Sequence, residues 1–238
     1  MLTQAGHWIE VVATGIDALL LCRVLLLRLQ RVYLFITLAC VLSVFFDVVA
    51  LSLRGDSNGS LRVFLYSRFL YAILFPLVAW DVFEEMKPQI AKLRRLAVGR
   101  LISGLLLASV FGFMVSTLAE TTDASGESMA LPTVGLILWA GSTTAALAFL
   151  WTLHRGIKMQ KLERPHNTFV WMAYWELSLI GEVLACFFFL TAPLLKKMGV
   201  DALDILFNMY GMAITAWCIL KLRALPSDVT SERANASL

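Results

Sequence analysis

Charge is what this chain has least of. Asp, Glu, Lys and Arg make up 16% of its 238 residues, against 59% hydrophobic ones. A water-soluble domain carries nearer a quarter charged residues, because its surface must be solvated, so a soluble globule is excluded. Cysteine is sparse as well: Cys22, Cys40, Cys186 and Cys218 all lie inside apolar segments, and no C-x-x-C pair occurs. They are expected to be small buried residues, neither disulfides nor metal ligands. The three histidines, His7, His154 and His166, fall at the ends of apolar runs or between them. Facing imidazoles for a haem, or a His-carboxylate group for a metal, are therefore not expected. No lysine occupies the interior of an apolar run, which excludes a retinal Schiff base in the last helix. An H-E-x-x-H helix and a G-x-S-x-G elbow are both missing. The chain reads as no enzyme, with no cofactor and no metal.

What is present in quantity is apolar sequence, with a mean hydropathy of +0.77. Seven runs stand out, at 8–27, 32–53, 63–83, 99–118, 131–153, 168–192 and 202–222. About 20 apolar residues span a bilayer as helix, so each run is long enough. The expected fold is an all-α membrane protein, a seven-transmembrane-helix bundle formed by residues 1–223 as a single domain. This length leaves no room for a soluble domain. The opening MLTQAGHWIE has neither a basic n-region nor a small-residue cleavage site, so the first helix is expected to remain in the mature protein.

Orientation follows from the Lys and Arg of alternate connections. One side receives Arg28 and Arg31; Lys87, Lys92, Arg94, Arg95 and Arg100; Arg155, Lys158, Lys161 and Arg164; and Lys221, Arg223 and Arg233. The other receives Arg54, Arg62, Lys196 and Lys197, and its loop ETTDASGESM holds only acids. The N-terminus is expected outside and the C-terminus in the cytoplasm. With the basic residues in topology-setting loops, nucleic acid is not an expected partner; the lipid bilayer is.

Ionisable residues inside the runs carry the functional information. A charge at the centre of a membrane helix costs about 2.5 to 3.5 kcal/mol on insertion scales, so it faces the bundle interior and finds a partner. Counting about 1.5 Å per residue puts Asp17, Asp47, Arg68 and Glu182, from four different helices, at comparable depth in the outer half. Asn208 and Tyr210 lie near the outer end of the last run, and Tyr71 one turn below Arg68. Two readings follow: a polar pocket around Arg68, or a buried salt bridge of Arg68 with Asp47 or Asp17 that fixes helix register. Three acids facing one base leave at least one to bind a proton, a cationic ligand or an ion, or to face water. Arg23 is expected to snorkel to cytoplasmic headgroups, with Asp81, Glu84 and Glu85 at the same interface near Arg94 and Arg95. Glu176 stands apart among Trp171, Tyr174 and Trp175, read as an interfacial aromatic belt. It is a candidate for a proton path with Glu182, although six residues of helix put the two on different faces.

The connection EEMKPQIAKLRRLAVGR is basic and amphipathic. It sets topology, and Lys92, Arg94 and Arg95 could also contact anionic lipid or a membrane or cytoplasmic protein partner. The polar, proline-interrupted tail, 224–238, is expected to be disordered. Ser103-Gly104 and Gly141-Ser142 read as small-residue contacts between the fourth and fifth runs. An aromatic third run ending Val82-Phe83-Glu84, then Pro88 and Leu93-Arg94-Arg95-Leu96, resembles an uncharacterised family of bacterial seven-helix integral membrane proteins. The likeness covers about 63–100 and the overall plan, and it implies a free-standing module of the bacterial cytoplasmic membrane with no known reaction or ligand.

Three functions fit. The first is an integral membrane sensor or binding module with its pocket in the outer half, hinged near Pro76. The second is a small transporter or proton-coupled permease working through Asp47, Glu182 and Arg68. The third is a structural or accessory subunit of a membrane complex.

Overall fold

The computed structural model describes residues 2–53, 57–86, 98–99, 101–106, 110, 130–160, 165–191 and 197–224. Among them the only regular structure is helical: α1 (Leu2–Leu26), a 3-10 turn (Leu29–Arg31), α2 (Leu34–Ser52), α3 (Ser57–Met86), α4 (Ala130–Gln160), α5 (His166–Thr191) and α6 (Lys197–Lys221). Among the described residues, three stretches are long and apolar enough to cross a membrane, Leu34–Ser52, Arg62–Met86 and His166–Cys186. The helices overrun the apolar runs, α3 starting six residues early and α4 continuing to Gln160. Apolarity ends where water begins, whereas i to i−4 hydrogen bonding continues until a breaker stops it. Most of the fourth run, the connection with Lys92, Arg94 and Arg95, and the tail beyond Ala224 lie outside the described residues.

Packing follows a ring. α1 touches α2, α2 touches α3, α3 touches α5, α5 touches α6, and α6 returns to α1; α4 lies outside, against α3 and α5. Small residues let the outer layer close in. A Cβ on Gly135 of α4 would come within 2.8 Å of the Phe69 ring, and one on Gly104 within 2.7 Å of the Ala145 Cβ. The second contact joins residues 101–106, helical themselves, to α4.

The two halves of the ring are built differently. We name upper the half that holds the starts of α1, α3 and α6 and the ends of α2 and α5. Most of the large, fully buried side chains belong to the lower half, Val24, Leu29, Tyr33, Ile36, Val78, Val82, Phe83, Met86, Phe149, Leu153, Trp171 and Leu222 among them, while Trp139, equally buried, lies above. Aromatic edges lock this core, with Phe83 against Phe149 at 5.8 Å and Tyr33 against Trp171 at 6.2 Å between centroids. Trp171 and Trp175 are thus interior residues, not the interfacial belt their sequence context suggested.

Polar ties finish the lower half. Asp81 is buried and accepts the main-chain N–H of Phe35 (2.6 Å) and Ile36 (3.0 Å). Those are two of the donors that the start of α2 leaves without intrahelical partners, and the helix dipole there favours a carboxylate. Asp81 is therefore a cap supplied from a neighbouring helix. The Tyr33 and Thr168 hydroxyls meet at 3.0 Å. Asn167 donates to the Arg223 carbonyl (2.7 Å) and accepts its N–H (2.9 Å), pinning the end of α6. Arg23 donates to the Leu222 carbonyl at 3.1 Å, so its guanidinium closes α1 onto α6.

Pro76 sits inside α3, and the helix runs through it unbroken. Proline has no N–H, so the carbonyl four residues earlier, on Ala72, loses its helical donor. The Ser142 hydroxyl, buried on α4, donates to that carbonyl. A defect in one helix is thereby repaired by its neighbour.

Candidate ligand cavity

An open cavity of about 910 Å³ runs from the upper half to the middle of the bundle, lined by α1, α2, α3, α5 and α6, the five helices of the ring. Helix periodicity brings the lining together. On α1, Glu10, Thr14 and Asp17 follow the i, i+4, i+7 spacing of one face; on α2, Cys40, Ser43 and Asp47 do so at i, i+3, i+7; on α3, Phe64, Arg68, Tyr71 and Phe75 continue the pattern. All six residues picked out from the sequence, Asp17, Asp47, Arg68, Tyr71, Glu182 and Asn208, line this one space. Tyr210 lines it too, its ring against Gly181 and its hydroxyl donating to the Leu177 carbonyl (2.9 Å).

Arg68 pairs with Glu182, Nη1 to Oε2 at 2.9 Å. The sequence had offered Asp47 or Asp17 as its partner; α3 packs directly on α5, which puts Glu182 within reach. The guanidinium also lies over the Trp139 ring (4.1 Å) and the Phe64 ring (4.7 Å), an arrangement in which the ring quadrupole attracts the cation. Trp139 comes from α4, so Arg68 is held to the wall of the cavity by an ion pair and two aromatic faces.

With Arg68 and Glu182 occupied by each other, Asp17 and Asp47 have no cation among the described residues. Asp17 accepts the Ser43 hydroxyl at 2.9 Å and also faces Thr215. Asp47, one turn further along α2 than Ser43, takes part in no hydrogen bond or ion pair among the described residues. The charges acting on it are Asp17, which repels, and Arg68, which attracts. Glu10 lines the same space. Among the described residues the lining thus holds four acids and one base, the base already paired.

The floor is aromatic. Tyr71 stacks on Phe75 at 5.4 Å with an interplanar angle of 17°, and Phe75 meets Trp175 at 6.1 Å. Trp175 is 7% exposed, and its indole N–H has no acceptor among the described residues. Below this layer the buried side chains of the lower core begin.

Glu176 does not line the cavity. Its carboxylate faces His154 Nδ1 at 2.9 and 3.1 Å on the seam between α4 and α5. Sequence reasoning missed His154 as a partner, and missed Glu10, Ser43, Thr215 and Trp175 in the lining. The helical spacing of Ser43 from Asp47 and of Glu10 from Asp17 was the available signal. No group of histidine, cysteine and carboxylate side chains suited to a metal ion occurs among the described residues. No protein-family model, curated protein or solved structure matches the chain.

Proposed function

We propose that this chain is an integral membrane binding module of the sensor type, spanning the membrane seven times with its N-terminus outside and its C-terminus in the cytoplasm. The upper half is then the outer half, and the cavity takes a ligand from the outside. One observation carries the reading: a polar cavity lined by five helices runs from the upper half to the middle of the bundle, where buried side chains such as Val78, Val82, Phe83 and Trp171 take over. A pocket that meets buried side chains below suits capture better than passage, which favours a sensor over a permease. The charge surplus of the lower loops supports the orientation. Ligand movement of the upper part of α3 would bend it at Pro76, where Ser142 braces the freed carbonyl, and the basic connection after α3 would pass the change to a partner.

Ala13 lines the cavity one helical turn from Asp17. In Ala13→Cys, a membrane-impermeant maleimide should label the thiol in right-side-out vesicles and leave it unlabelled in inverted ones. The parent chain, whose Cys40 lines the cavity but is buried, sets the background. Equal labelling from both sides would favour the permease, and none from either would remove the pocket.

A further inference from the structure

We infer that the cavity binds an organic cation, an ammonium group carried on a body with an oxygen acceptor. The inference rests on the binding-module reading and names its ligand class. Carboxylates removed from bulk water take up either a proton or a counter-charge, and an ammonium group supplies the second. The lining supplies one cation, Arg68, and commits it elsewhere: 2.9 Å from Glu182 and stacked on Trp139 and Phe64. Asp17 and Asp47 stand on adjacent helices with no cation of their own among the described residues. An ammonium between them would receive charge-assisted hydrogen bonds, which are shorter and stronger than neutral ones.

The second observation lies on the floor and is independent of the acids. Trp175 is more than nine-tenths buried, belongs to the lining, and its indole N–H has no acceptor among the described residues. Of the three buried indoles without an acceptor among the described residues, Trp139, Trp171 and Trp175, only Trp175 lines the cavity, where a ligand oxygen can meet the donor. Between the two lie Tyr71 and Phe75, whose stacked rings offer an apolar and cation-attracting wall. A volume of about 910 Å³ is ample for a small organic molecule. A metal ion fits less well, since it would leave the aromatic floor and the indole donor unused.

Three probes share one body and differ in one group: 2-amino-1-phenylethanol (cation), 1-phenyl-1,2-ethanediol (neutral) and mandelate (anion). Each is tested for protection of Ala13→Cys against the impermeant maleimide, with the full chain in right-side-out vesicles. The amine should protect, and the diol and mandelate should not. Adding Asp47→Asn should raise the protecting concentration about tenfold, the loss of one hydrogen bond to a charged group. Trp175→Phe should raise it about threefold. Protection by the diol or mandelate equal to that by the amine would overturn the inference, as would no protection by any of the three, or amine protection unchanged in both Asp17→Asn and Asp47→Asn. In each of these cases the introduced thiol still labels from outside, so the pocket stands. Failure of the pocket itself shows as absence of labelling without any probe.

Discussion

The lower half of the bundle spends Asp81, Asn167 and Arg23 on ties between helices, whereas the upper half leaves Asp47 facing a cavity. Below, Asp81 satisfies two N–H groups of α2, Asn167 clasps Arg223, and Arg23 closes on Leu222. Above, Asp47 and the Trp175 indole bond to none of the described residues, and a cavity separates the helices. Both halves come from the same helices, so neither propensity nor hydropathy makes the difference. It comes from which side chains face inward: Phe83, Trp171 and Tyr33 fill the lower space, while Asp17, Asp47 and Ser43 leave the upper one open. A framework half and a binding half should respond to substitution in opposite ways.

The largest effect is expected in the framework. Phe83→Ala removes a fully buried ring packed on Phe149 and Trp80 and should cost about 3 to 5 kcal/mol. The readout is thermal unfolding of the purified chain in detergent. A loss below about 1 kcal/mol would mean that the lower half is no tighter than the upper, and the comparison would break.

Asp81→Ala should cost about 1 to 2 kcal/mol, the usual range for a lost helix cap. Asp81→Asn, which keeps an acceptor oxygen, should recover part of it in the same unfolding measurement.

Ser142→Ala comes next. It leaves the half-buried Ala72 carbonyl without a donor, at about 1 kcal/mol. The sharper test is a cycle with Pro76→Ala, which restores a main-chain N–H able to bond Ala72. In that background Ser142→Ala should cost much less, giving a coupling of about 1 kcal/mol. Equal costs in both backgrounds would show that the hydroxyl is not compensating the proline.

The helices and the inward charges were legible in the sequence because both obey one-dimensional rules. An apolar run of about 20 residues signals a helix, and a charge within it has to face a partner. Depth could be counted at about 1.5 Å per residue, and it placed Asp17, Asp47, Arg68 and Glu182 at one level. Azimuth could not be counted. Which face of one helix meets which neighbour depends on packing, so the partner of Arg68 came out as Glu182 where Asp47 or Asp17 was expected. The same blindness hid the His154–Glu176 pair and turned buried Trp171 and Trp175 into a supposed interfacial belt. The bond from Ser142 to Ala72 was half visible: Pro76 announces an orphaned carbonyl, but only the fold shows who answers it.

The smallest effect is the one that discriminates best. Asp47→Asn should change stability by less than about 0.5 kcal/mol, because the carboxylate makes no hydrogen bond or ion pair with the described residues that could be lost. Burial disfavours its charge and Asp17 repels it, while Arg68 attracts it, so neutralising it relieves two unfavourable contributions and gives up one favourable one. A framework residue at that depth in a bundle behaves otherwise, since taking away one partner of a buried polar pair costs the desolvation of the other. Unfolding in detergent of the parent and Asp47→Asn, side by side, decides between the two. A loss above about 1 kcal/mol would make Asp47 part of the scaffold and return the upper cavity to the status of a packing gap. No loss, together with weaker protection by the amine, would place Asp47 where function, not folding, keeps an unpaired charge.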